Sequence, residues 1–155
     1  MSATSLIANR CGIDVFTTGG IGGVHRDVQH TMDISADLTE LGRTPITVIC
    51  SGVKSILDIP KTLQYLETQG VCVVVFDGHQ HSPQSVEFPA FFSRKSGSQV
   101  VYNAKTAEEV SRLIFARNEF GLKCGIVVAV PIPQEYQSNG DSIDRAISEA
   151  LNEVK

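Results

Sequence analysis

Five short runs of β-type residues, apolar on successive positions rather than on alternate ones, limit this chain more than any other feature. They cover residues 13–17, 46–50, 71–76, 99–102 and 126–130, and the clearest are Val71-Cys72-Val73-Val74-Val75-Phe76 and Ile126-Val127-Val128-Ala129-Val130. A strand with one face in water alternates apolar and polar residues, so these runs must be covered on both faces. Helical patterns lie between them. Ile59–Thr68 puts Ile59, Leu63 and Leu66 on one face, has Asp58 as its N-cap and stops at Gly70. Residues 106–120 open with Thr106 and Glu109 as a capping box, bury Val110, Leu113 and Ile114, and close at Gly121. A last helix over 142–154 is expected to bury Ile143, Ile147, Leu151 and Val154, and the residues before Ile13 are a further helix candidate. This alternation predicts one α/β domain over residues 1–155, a three-layer α/β/α arrangement around a largely parallel or mixed sheet. Residues 77–87, with His79, His81 and Pro83, read as a flexible insertion.

Charge and cysteine usage narrow the function classes. A formal charge of −4 over 155 residues offers no broad basic footprint for polymeric nucleic acid. A small phosphorylated substrate stays open, because a local site can be cationic on an acidic protein. No apolar run reaches the roughly 20 residues a membrane helix needs, and the first ten residues lack the pattern of a signal peptide. Cys11, Cys50, Cys72 and Cys124 are widely spaced with no CxxC pair, which fits free thiols in a reducing, cytoplasmic compartment.

Three segments carry the chemistry. The first, Thr17-Thr18-Gly19-Gly20-Ile21-Gly22-Gly23-Val24-His25-Arg26, follows a strand directly. Its glycines permit positive φ and let backbone amides approach an anion closely. The alternative is a plain strand-exit turn. It is neither a dinucleotide fingerprint, since His25 occupies the third glycine position, nor a P-loop, since no GxxxxGK occurs. His25 and Arg26 favour a site, one as a proton carrier and the other as an anion holder. In the second segment, Asp33-Ile34-Ser35-Ala36-Asp37-Leu38, a helix would set Asp33 and Asp37 on one face. That pair reads either as a solvated helix start or as a ligand for a hard ion such as Mn²⁺ or Mg²⁺ near a phosphate. The third segment is Ser51-Gly52-Val53-Lys54-Ser55-Ile56-Leu57-Asp58, beyond the end of an apolar strand, where ligands gather in parallel sheets. A lysine is usually a solvated surface charge; the alternative for one between Val53 and Ile56 is partial desolvation, which would free its amine as a nucleophile.

Taken together these segments, with Glu87-Phe88-Pro89-Ala90-Phe91-Phe92-Ser93, resemble the pseudouridine-5′-phosphate glycosidase family, also called indigoidine synthase A-like proteins. The likeness runs from about residue 5 to about residue 135. It implies cleavage of pseudouridine 5′-phosphate by water to uracil and ribose 5-phosphate, reversibly, with a divalent metal, usually Mn²⁺. It gives Lys54 as the nucleophile, Asp33 as metal ligand, Ser35, Ala36 and Asp37 as substrate contacts, and His25 beside the reacting sugar. It also implies a homotrimer. A carbon–carbon glycosidic bond has no easily expelled heteroatom, so a lysine imine divides one hard step into easier ones.

The match is incomplete. The family's general-acid glutamate and a second, substrate-contacting lysine lie upstream of the matched region and have no counterpart here. The family domain is also expected to continue beyond the C-terminal end. Val130 precedes Pro131-Ile132-Pro133 where the family commonly has asparagine. The alternative reading is a non-catalytic sugar-phosphate-binding or regulatory homologue. A Schiff-base aldolase acting on a sugar phosphate shares the lysine. A metal role for His79 and His81 is the remaining option among the histidines.

Overall fold

The structure, a computed structural model, describes residues 1–77 and 86–153. Five strands form one wholly parallel sheet: β1 (Val15–Thr17), β2 (Thr47–Cys50), β3 (Cys72–Phe76), β6 (Tyr102–Ala104) and β7 (Ile126–Ala129), in the order β1-β2-β7-β3-β6. A two-stranded antiparallel ribbon, β4 (Val86–Glu87) with β5 (Gln99–Val100), stands apart from it. The helices are α1 (Ser2–Arg10), α2 (Val28–Thr31), α3 (Ala36–Leu41), α4 (Ile59–Thr68), α5 (Ala107–Glu119) and α6 (Gln137–Glu153).

Right-handed crossovers decide which helix covers which face. From β1 to β3 the chain steps one way across the sheet, so its connecting helices belong on one side. From β6 back to β7 it steps the other way, which sends α5 to the opposite side. The core divides accordingly. Leu38, Leu41, Ile59 and Leu66 pack with Val48, Val75, Val127 and Ala129, while Val110 packs with Val74, Ile126 and Val128. Adjacent residues of β7 thus enter opposite cores, which is why that strand is apolar throughout. The expected three-layer α/β/α order is what the chain adopts.

The caps follow the sequence. The Asp58 side chain accepts from the Lys61 amide and the Thr106 side chain from the Glu109 amide. Two expectations change. Residues 99–102 are not one strand: β5 pairs with β4, exposed Val101 breaks the run, and β6 joins the main sheet beside β3. An apolar run cannot reveal that the chain changes sheets in its middle. The last helix begins at Gln137, five residues early, and its apolar stripe is not buried. Ile143 is 42% exposed, Ile147 and Leu151 are half-buried, and no residue of α6 joins either core. Its first turn is held where Gly140 presses on the Phe92 carbonyl, and the later turns extend beyond that support. Val154, His79, His81 and Pro83 lie outside the described residues.

All four cysteines are free, and no helix among the described residues is long and apolar enough to cross a membrane. One buried carboxylate should govern acid stability. The Thr44 hydroxyl donates to Glu40, which is 3% exposed, and holds its carboxyl below the usual range against the opposing effect of burial, with Arg43 assisting. A carboxyl depressed in the fold contributes stability above its unfolded pKa of about 4.3 and loses it as pH falls through the folded value. The urea midpoint is therefore expected to drop on acidification below about pH 4.5, and less steeply in Glu40→Gln, as chemical denaturation across pH 3–7 will show.

Candidate active site

The three chemical segments meet beyond the carboxyl ends of β1 and β2, and backbone hydrogen bonds lock them together. After Thr17 the chain keeps running beside the segment that follows β2. Thr18 N–H donates to Ile49 (2.9 Å), Ser51 to Gly19 (2.8 Å), Ile21 to Gly52 (3.0 Å) and Lys54 to Ile21 (3.3 Å). Further along, Val24 sits between two antiparallel partners, Ile34 and Asp58. There Asp58 N–H donates to Val24 (2.9 Å), His25 to Asp33 (3.0 Å) and Ser35 to Gly23 (3.0 Å). The α4 helix adds a side-chain link: buried Thr62 accepts from the Val24 amide at 2.9 Å and donates to the Asp58 carbonyl at 2.7 Å.

The glycines serve close packing rather than positive φ, which corrects the sequence reading. Gly19, Gly20, Gly22 and Gly23 all have ordinary backbone angles. A Cβ on Gly20 would stand 2.5 Å from the Phe91 ring, and one on Gly23 would stand 2.5 Å from the Thr62 hydroxyl. At Gly22 it would collide with the Ser35 side chain. The left-handed glycine is Gly52, at φ 96, where a Cβ would strike the Pro89 carbonyl. The amides of Gly19 and Gly20 have no acceptor among the described residues, so two N–H groups remain for a ligand at the mouth of β1.

Lys54 is exposed and its amine has no ion-pair partner among the described residues. The expected apolar setting is only half present, because Val53 is fully buried whereas Ile56 is 51% exposed. Asp33 and Asp37 do not share a helix face. Ser35 is the N-cap of α3, so Asp33 lies outside that helix, in the irregular segment between α2 and α3. The Asp33 carboxylate lies 3.5 Å from His25 Nδ1, at a half-exposed surface. Asp37 instead accepts from Gly22 N–H (2.9 Å) and Ser2 N–H (2.8 Å). Ser35 Oγ accepts from the Asp37 amide at 3.3 Å, and Ala36 is exposed. Arg26 donates to the Ser55 carbonyl (3.2 Å) and borders a cleft of about 470 Å³ with Asp58, Lys61 and Ala90. Sequence reasoning missed Thr62, whose signal was a polar residue on the buried stripe of α4. It also missed the two amide bonds of Asp37, which no spacing rule reveals.

The match to known proteins extends over the whole chain. The family model described as Indigoidine synthase A like protein matches residues 1–155. This chain belongs to that family. Among curated relatives it is 51% identical over 155 residues to a pseudouridine-5′-phosphate glycosidase of Clostridium botulinum, and 50% identical to one of Arabidopsis thaliana. It spans all of itself but only 48% and 45% of those proteins, so it covers about half the length of the curated relatives it matches. Two solved members of the fold agree. An indigoidine synthase A-like protein from Thermotoga maritima superposes with a TM-score of 0.79 at 38% identity, over 94% of this chain and 46% of that one. A prealnumycin C-glycosynthase in complex with ribulose 5-phosphate gives 0.83 at 35%, over 97% and 47%.

The geometry separates a replaceable side chain from an irreplaceable backbone. Lys54→Met should leave stability within about 0.5 kcal/mol of the parent, as surface changes do. Gly52→Ala should cost more than about 2 kcal/mol, through its left-handed φ and the clash with Pro89. Urea denaturation of both variants checks the contrast.

Proposed function

We propose that this chain carries the lysine side of a pseudouridine-5′-phosphate glycosidase site, with Lys54 forming an imine with the C1 of the ring-opened ribose. The observation that carries this reading is the backbone ladder, which fastens together the segments that bear Lys54, the free amides of Gly19 and Gly20, and the His25–Asp33 pair. In the synthetic direction, the Lys54 amine adds to the C1 aldehyde of ribose 5-phosphate and the carbinolamine loses water to an imine. Uracil C5 then attacks that carbon of the protonated imine and gives up its proton to a base, and the sugar hydroxyl closes the ring, its proton leaving with the displaced amine. Cleavage is the reverse. Addition to the aldehyde needs the uncharged amine, whereas the later steps run through its protonated forms, so a wall that withdraws water from Lys54 would speed that first step. Lys54 is exposed, and the chain spans about half the length of the curated relatives it matches, which supports a wall supplied from elsewhere in the family domain. The resemblance implies that the acid protonating the departing carbon also lies elsewhere in that domain.

The amides of Gly19 and Gly20 can hold phosphate oxygens without a charged side chain, and Arg26 lies close along the chain. His25, oriented by Asp33, is placed to move a proton at the sugar. Ser35 and Ala36 line the same surface as substrate contacts, and Asp37 acts on the substrate through Gly22. Among the described residues no cluster of three or more acidic, histidine or cysteine side chains surrounds Asp33. One carboxylate suits a hard ion, Mn²⁺ or Mg²⁺, that keeps most of its water, and such an ion would supply positive charge to phosphate or sugar oxygens. Trimeric assembly and a cytoplasmic setting complete the proposal.

Borohydride reduction in the presence of ribose 5-phosphate tests it. A covalent sugar adduct on Lys54, absent in Lys54→Met, is expected from the chain alone by peptide mass spectrometry. Turnover of pseudouridine 5′-phosphate should run at least about tenfold below a full-length relative, a deficit of about 1.4 kcal/mol or more in barrier. Sugar-phosphate binding without any adduct would instead establish a non-catalytic binding homologue.

A further inference from the structure

The turn at Ala90-Phe91-Phe92 holds an unusual backbone. Phe91 has φ 63, and the Phe92 amide donates to the Ala90 carbonyl, two residues back, at 2.7 Å. That hydrogen bond about a positive-φ residue defines the rarer, strained form of γ-turn, and a bulky side chain there is an outlier. Such strain persists only where the surroundings over-determine it, and it clusters at functional sites. Here the surroundings are specific. The Phe91 amide donates to the Ser51 carbonyl at 3.0 Å, Ala90 bridges Gly52, and the Ser55 hydroxyl donates to the Ala90 carbonyl at 2.7 Å. The backbone of the turn is therefore fastened to the loop that bears Lys54. Its ring reaches the other segment, lying against Gly20 and within 3.5 Å of where a Gly19 Cβ would be. Phe92 supports it edge-on, with ring centroids 4.5 Å apart and an interplanar angle of 80°.

We propose that Phe91 is a positioning residue: its strained turn clamps the glycine segment to the Lys54 loop, fixing the Gly19 and Gly20 amides relative to the amine before a sugar phosphate arrives. This rests on the reading of Lys54 given above. Glycine would fill the turn without strain, so what phenylalanine adds there is its ring.

Three replacements separate the ring from the backbone. Phe91→Gly removes ring and strain, Phe91→Ala removes the ring and keeps the left-handed demand, and Phe91→Tyr keeps both. In Phe91→Gly and Phe91→Ala the amides of Ile21, Ser51 and Lys54 should exchange with solvent at least about tenfold faster, while those of β7 stay unchanged. Phe91→Gly should melt at or above Phe91→Ala, and Phe91→Tyr should behave as the parent. Borohydride capture of ribose 5-phosphate on Lys54 should fall about tenfold in both ring-less variants. Unchanged exchange, or unchanged capture, in Phe91→Gly overturns the clamp. A parent chain that forms no adduct refutes Lys54 as nucleophile, and the exchange result still decides the role of Phe91. A double-mutant cycle guards against a variant that fails to fold. Gly20→Ala sets a methyl 2.5 Å from the ring and should be far more harmful in the parent than with Phe91→Gly, where only the 3.3 Å approach to the Gly52 carbonyl remains. Equal harm in both backgrounds also overturns the proposal.

Discussion

The arrangement depends on residues 18–25 lying as a backbone strip between two neighbours, the segment after β2 on one side and the approach to α3 on the other. Each of those contacts is a main-chain hydrogen bond, so the strip fixes the positions of Lys54, His25 and Asp33 whatever their side chains do. Neighbouring side chains can lie directly on the strip only where its own Cβ atoms are absent. Gly20, Gly22 and Gly23 satisfy that requirement against Phe91, Ser35 and Thr62. A buried polar shell completes it: Thr62 and Asp37 take up amides that the strip leaves unpaired, and unsatisfied amides in such a place would be costly.

Much of the fold was legible from the chain alone. Unbroken apolar runs announced strands covered on both faces, and the caps at Asp58 and Thr106 fixed where α4 and α5 begin. What escaped had a physical reason. Residues 99–102 keep one hydrophobic character while crossing from one sheet to another, and periodicity carries no information about partners. The stripe of α6 has the spacing of a buried face, but spacing does not say that a face opposes it. At the site, the family resemblance named Lys54, His25 and Asp33, and the ladder joins the segments that carry them. Asp33 and Asp37 were separated by a boundary of one residue, because Ser35 caps α3 and turns the chain between them.

The half-exposed surface around Lys54 and the bare stripe of α6 fit a domain of which this chain supplies one part. A lysine becomes nucleophilic when water is withdrawn from it, and the residues gathered here surround it on one side only. The centre of the sheet, by contrast, is covered on both faces: β7 is buried throughout and β2 at all but Ile49. Structural completeness and chemical completeness therefore belong to different parts of the molecule. The scaffold closes at the centre of the sheet, while the surface proposed for the reaction lies at its rim.

Neighbouring parallel strands oblige the chain to travel back the length of the sheet between them, and most folds spend that journey on a helix. Between β3 and β6 this molecule spends it on a ribbon and a strained turn that deliver an aromatic ring to the rim. The return path is thus a place where a wall can be redesigned without shifting any strand register. Divergence in what such a domain accepts can accumulate there while its hydrogen-bonded floor is inherited intact.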